Sequence, residues 1–189
     1  HNYENICAAI AATSSLVEPK IQARAIAKFK GVEHRLEYVR TINGAKWYND
    51  SIGTSPTRTI AGLNSFDENI VLIAGGYDKH LDYTPIAKPI IDNVTNLILI
   101  GATADKIQQS VEQELKKQNE MSVLRNGKNA VKKELPIYRC NTLEECITKA
   151  NEVAKSGDVV LFSPASASFD MYKNFMERGN KFKDLVMNI

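Results

Sequence analysis

Three short, almost purely apolar runs constrain this chain more than any other feature: Ile70–Ala74, Leu97–Ile100 and Val159–Phe162. Each is too short for a typical buried helix and rich in valine, isoleucine or leucine, so each is read as a strand covered on both faces. Stretches with helical apolar spacing separate them, and "IYRC" at 137–140 supplies a further short strand before a helix over 142–155. Such alternation folds as a doubly wound, mostly parallel α/β sheet of the Rossmann-like kind. Ahead of it, "RLEYVRTINGAKWYND" places Asn43-Gly44 between two extended runs, the signal of a tight β-hairpin. Earlier still, residues 3–13 and 19–29 have helical spacing, with Gly31 expected as the C′ residue of the second helix. The expectation is therefore an α/β fold with an N-terminal β-hairpin and a short preceding helical segment. Its domain boundary falls near residue 32, giving parts 1–32 and 33–189. Ser55-Pro56 predicts a helix start running to about Phe66. A helix is expected over 103–118, and the basic stretch 119–135 is expected to be an irregular inserted loop or hairpin. The chain opens on His1-Asn2 just before a helix and is expected to be a piece of a longer polypeptide.

Several function classes are set aside by composition. A net charge of +2 on 189 residues gives no ground to expect a nucleic-acid partner. No apolar run approaches the roughly 20 residues that span a bilayer, so no membrane partner is expected. The cysteines, Cys7, Cys140 and Cys146, lack metal-ligand spacing and read as reduced packing residues of a cytoplasmic protein. There is no G-x-S-x-G elbow, no G-x-G-x-x-G turn and no G-x-x-x-x-G-K-[ST] phosphate loop.

In a parallel sheet, the loops leaving the carboxyl ends of strands gather on one rim, where such folds bind ligands. Three of them carry chemistry: "NDSIGTSPTRT" (49–59), "GGYDKHLDY" (75–83) and "SPASASFD" (163–170). Together they offer Asp50, Ser51, Thr54, Lys79, His80, Ser166 and Ser168. A helix is expected to open at Phe169, with Ser168 and the Phe169 amide at its start. One lysine, several hydroxyls and free helix-start amides suit carboxylates or a phosphate. Each residue also has a plain reading. Glycines after a strand usually only turn the chain, a loop lysine is more often solvated than liganded, and a serine-rich turn is most often a cap. His80 reads as a surface histidine, His34 and Arg35 as a solvated strand start, and Trp47 as packing. The case rests on the three loops converging.

Four segments resemble the Mur ligase family: "HNYEN" (1–5), "GVEHRLE" (31–37), "WYNDSIGTSPTRT" (47–59) and "SPASASFDMYKNFMERGNKF" (163–182). The last is similar to the family's D-glutamate-adding branch in particular. The resemblance implies a ligase that uses ATP and Mg2+ to join D-glutamate to UDP-N-acetylmuramoyl-L-alanine through an acyl phosphate. It implies that residues 1–32 are the helical tail of a central ATPase domain and that 33–189 are the C-terminal amino-acid-binding domain. The N-terminal and central domains of the same enzyme would then be its partners, and the magnesium ligands are expected in the central domain. By the same resemblance, Asn2, Asn5, Arg35 and Asp50 match nucleotide contacts. Thr54, Lys79, Ser168, Phe169 and Phe175 match the D-glutamate pocket, with Lys79 also the catalytic cation. A hinge is expected near Gly31–His34. Where many members of this branch read D-S-K-A-T, this chain reads Asp50-Ser51-Ile52-Gly53-Thr54, and Lys79 or Arg58 is expected to supply the missing charge. Two rivals are a folate-polyglutamylating ligase and a free-standing module that binds a small anion.

Overall fold

The computed structural model describes residues 2–29, 31–126 and 131–189. The chain divides into two compact units, His1–Val32 and Glu33–Ile189. The first holds helices α1 (Asn2–Thr13) and α2 (Pro19–Lys28), tied by Gln22 Nε2, which donates to Ile10 O at 3.2 Å and Thr13 Oγ1 at 2.8 Å. α2 ends at Lys28 with Phe29 extended, so Gly31, at φ +96°, lies too far along to be its C′ residue.

The second unit is a sheet of six strands in the order β1-β2-β6-β3-β4-β5. β1 (Glu37–Ile42) and β2 (Ala45–Asn49) form the expected hairpin, with Asn43 and Gly44 both at positive φ, as a two-residue turn matching strand twist requires. The remaining pairings are parallel: β2 with β6 (Val159–Phe162), β6 with β3 (Ile70–Ala74), β3 with β4 (Val94–Ile100), and β4 with β5 (Ile137–Cys140).

Alternation along the strands sorts two cores. Ile70, Leu72, Leu97, Leu99 and Leu161 pack with Leu63 of α3 (Pro56–Leu63), Ile86 and Ile90 of α4 (Thr84–Asn93), and Ile107 and Val111 of α5 (Ala104–Asn126). Val71, Ile73, Ile98, Val160, Phe162 and Trp47 pack with Cys146 and Ile147 of α6 (Leu143–Val153), and Phe182 and Val186 of α7 (Phe175–Met187). Helices thus cover both faces, and each apolar strand is buried throughout because it feeds both cores.

Three boundaries differ from the sequence expectation. α3 stops at Leu63 rather than Phe66. α5 continues through Asn126, so the first part of the supposed irregular insertion is helical. Good helix formers such as Gln118, Glu120, Met121 and Leu124 extend it after the apolar period fades. The last helix opens at Phe175, not Phe169. Its cap is Asn174, whose side chain accepts from Glu177 N at 2.8 Å, while Glu177 accepts from Lys173 N at 2.8 Å.

Candidate functional site

β2, β6, β3 and β4 run parallel, so the loops that follow them leave from one edge. Backbone bonds fasten these loops together. Gly75 N donates to Pro164 O at 2.8 Å, Tyr77 N to Ala167 O at 2.9 Å and Thr103 N to Gly76 O at 3.0 Å. Ser166 anchors the middle of the edge, its hydroxyl 2.8 Å from both Tyr83 Oη and Thr103 Oγ1. The glycine pair after β3 has a steric reason. Gly75 sits at φ +112°, and a Cβ there would lie 1.9 Å from Ile100 O.

Arg178, which the sequence reading passed over, joins the first and third loops. It is 2% exposed. Its Nε donates to Ser51 Oγ at 3.0 Å and Nη2 to Ser51 O at 2.9 Å, while Nη1 reaches Ser166 O at 3.1 Å and Ala167 O at 2.9 Å. Five fixed donors let one guanidinium span two loops as a lysine cannot. Burial among neutral carbonyls pulls its pKa down to about 10, against the opposing charge of Asp170. The signal was legible. Arg178, Phe182 and Val186 recur every four residues, which places the arginine on the inward face of α7.

Asp50 is the buried carboxylate of the edge, 4% exposed. Its Oδ2 accepts from Ser163 Oγ at 2.7 Å and its Oδ1 from Leu36 N at 3.2 Å; Ser163 Oγ lies 2.8 Å from Thr59 Oγ1. Desolvation pushes its pKa up to about 6, and the bonds from Ser163 and Leu36 and the charges of Arg35 and Arg58 oppose that rise only in part. Gly53 fits close beneath, where a Cβ would stand 2.7 Å from Asp50 Oδ2 and 2.8 Å from Ser163 Oγ.

His34 corrects an expectation. Instead of a solvated strand start, it is 3% exposed at φ +63°. Asn49 Oδ1 accepts from Ser51 N at 3.1 Å, which fixes the amide orientation and aims Asn49 Nδ2 at His34 Nδ1, 2.9 Å away. Nδ1 therefore accepts and the neutral ring carries its proton on Nε2. Desolvation and then Lys183 lower the His34 pKa, and Glu33 and Glu37 oppose them. Glu33, His34 and Glu37 have the spacing of a cation site. Lys183 Nζ already holds both carboxylates, at 2.5 and 3.2 Å, so this cluster does not fit Mg2+.

The other sequence candidates fall as follows. Thr54 is half-buried, its amide donating to Ile52 O at 2.8 Å. Ser168 is buried, but its carbonyl accepts from Met171 N and Tyr172 N in a turn, so Ser168 and Phe169 do not start a helix. Phe169 is exposed and edge-on to Tyr77 at 5.8 Å. Phe175 begins α7, its carbonyl accepting from Ser51 Oγ at 2.8 Å and its ring edge-on to His34 at 6.0 Å. Lys79 is exposed and, among the described residues, pairs with no carboxylate; neighbouring Asp78 is taken by Lys106. Arg35 and Ile52 are half-buried. The three loops are joined, yet no hydrogen bond among the described residues links the Lys79 ammonium or the Thr54 hydroxyl to Ser168. Asn5 is exposed on α1, in the other unit; Asn2 begins α1, and its side chain lies outside the described residues.

The family description "Mur ligase, glutamate ligase domain" matches residues 34–166. The chain belongs to the Mur ligase family. Over its whole length it is 50% identical to the UDP-N-acetylmuramoylalanine–D-glutamate ligase of Acetivibrio thermocellus, and 47% identical to the enzyme of that name from Clostridium tetani. It spans 38% of the length of each. Among solved structures, a bifunctional folylpolyglutamate synthase/dihydrofolate synthase from Yersinia pestis, complexed with AMPPNP and Mn ion, has the same fold. Its TM-score is 0.61 at 12% identity, over 94% of this chain and 37% of that one. A murein peptide ligase from Psychrobacter arcticus matches 100% of this chain and 37% of its own, with TM-score 0.54 at 16% identity. At such identities the structural likeness concerns the fold alone.

Proposed function

We propose that this chain is the C-terminal part of an ATP-dependent ligase that adds D-glutamate to UDP-N-acetylmuramoyl-L-alanine in peptidoglycan precursor synthesis. One observation carries the reading: identity of 50% along the entire chain to a relative of that name, including the loops that meet at the carboxyl edge of the sheet. In the proposed reaction, ATP converts the acceptor carboxylate to an acyl phosphate. The D-glutamate nitrogen forms a bond to that carbonyl carbon, loses a proton and expels phosphate. Residues 33–189 bring in the amino acid, and residues 1–32 belong to the ATPase part that precedes them.

The chain's own residues bind and orient. Thr54, Ser168, Phe169 and Phe175 form the D-glutamate pocket. Lys79, free of any carboxylate among the described residues, faces a substrate carboxylate and the charge that develops in transfer. Arg35, Asp50, Asn2 and Asn5 contact the nucleotide. Positioning and charge stabilisation are the main contributions available to such a site. A divalent metal neutralises phosphate charge in this chemistry; its ligands lie in the upstream part. The enzyme acts in the cytoplasm, where its nucleotide substrates are. Among the described residues no helix is long and apolar enough to cross a membrane.

The test is reassembly. This chain joined to an intact upstream half should release phosphate only when D-glutamate is present, and the chain alone should produce no ADP. Phosphate release that ignores D-glutamate, or that prefers another amino acid, would remove the proposal.

A further inference from the structure

The longest helix outruns the sheet it packs on. α5 has 23 residues, about 35 Å at 1.5 Å per residue. β4, from whose end it starts, has seven, about 23 Å at 3.3 Å per residue. α5 sets out from the ligand edge, so its last turns project past the opposite edge. Its buried stripe of Ala104, Ile107 and Val111, continued by half-covered Leu115, ends before them. Beyond it, Met121, Val123 and Leu124 face solvent, Leu124 at 84% exposure, and Val131 on the returning segment is 85% exposed. This projection is built. Asn119 accepts from Lys133 N at 2.8 Å and donates to Lys133 O at 3.0 Å, and Lys133 Nζ is 3.5 Å from Asp92.

Charge accompanies the apolar side chains. Among the described residues, Lys116, Lys117, Arg125, Lys132 and Lys133 stand against Glu120 and Glu134; Lys117 and Lys133 pair with Glu114 and Asp92 at 3.8 and 3.5 Å, so the cations not engaged outside the projection are Lys116, Arg125 and Lys132. Lys116 and Lys132 also flank the shallow groove that contains Val123 and Leu124.

We propose that this projection, residues 116–125 with 131–133, docks on an anionic lipid bilayer. Protruding leucine and valine side chains ringed by lysines suit an interface where apolar groups sink below the phosphates and ammonium groups stay level with them. A nucleic acid would meet the cations but leave Leu124 and Val131 in water. Docking here leaves the ligand loops free at the other edge of the sheet. Contact at the surface requires no spanning helix.

Sedimentation with vesicles tests this directly. Vesicles of phosphatidylglycerol and phosphatidylcholine should retain about tenfold more protein than pure phosphatidylcholine vesicles, with the excess lost at high salt. Leu124→Asp with Val131→Asp, and separately Lys116→Glu with Lys132→Glu, should each abolish retention without moving the melting temperature, because these side chains are exposed. No retention, equal retention on both vesicles, or parent-like retention of either variant overturns the proposal. So does binding to RNA or to an acidic protein with the vesicles ignored.

Discussion

Asp50→Asn separates what the carboxylate does for function from what it does to the fold. The folded chain holds the Asp50 proton up to about pH 6, whereas an unperturbed aspartate releases it near 3.8. At about 1.4 kcal/mol for each tenfold change in proton affinity, that gap corresponds to about 3 kcal/mol. The sign follows from which state holds the proton. Between pH 4 and 6 the folded state binds more protons than the unfolded state, so the Asp50 contribution favours folding most at low pH and is lost as pH rises through about 6. Asparagine cannot ionise. It keeps an oxygen for Leu36 N and offers an amide to Ser163 Oγ, whose hydroxyl can turn to Thr59. The variant is therefore predicted to be more stable than the parent by up to about 3 kcal/mol at pH 7.5, with the advantage shrinking as pH falls below about 6 and gone near pH 4. Urea unfolding of both proteins from pH 4 to 8 measures it. Their difference cancels the opposing titration of His34, whose lowered pKa makes stability rise with pH. A pH-independent difference, or one that grows towards low pH, would refute the argument. In the reassembled ligase the same substitution should weaken nucleotide binding.

Other substitutions give sharp outcomes. Arg178→Lys replaces a four-bond fork with one ammonium and strands the buried carbonyl of Ser51 or Ser166; a loss of about 2–4 kcal/mol is expected from the urea midpoint. Gly53→Ala sets a methyl 2.7 Å from Asp50 Oδ2. It should cost about 1–3 kcal/mol by thermal melting. Lys79→Ala should leave stability within about 0.5 kcal/mol, because the side chain is exposed. In the reassembled enzyme it should sharply reduce D-glutamate-dependent phosphate release.

The sheet was legible because its apolar strands are buried on both faces and admit no other assignment. The hairpin was legible because Asn43-Gly44 supplies the positive φ values its turn requires. Gathering of loops at one edge followed from parallel pairing. Strand order did not: the last strand, β6, inserts between β2 and β3, a non-local pairing that local sequence does not encode. The hydroxyl-rich turn ending at Ser168 suggested a helix opening at Phe169, whereas the stronger stop-and-start signal was Asn174 followed three residues later by Glu177. The true reach of α5 was hidden because its last turns leave the core and lose apolar periodicity. The burial of His34, which reads as a solvated strand start, and the role of Arg178 were not legible, because both are enclosed by packing from elements distant in sequence.

The central claim is that D-glutamate sits at the carboxyl edge of the sheet, between the loops after β2, β3 and β6. A crystal structure of the reassembled ligase with D-glutamate tests it most directly. The amino acid should lie against Thr54, Lys79 and Ser168, with one carboxylate facing the Lys79 ammonium. Finding it at the opposite edge of the sheet, or entirely within the upstream half, would contradict the account.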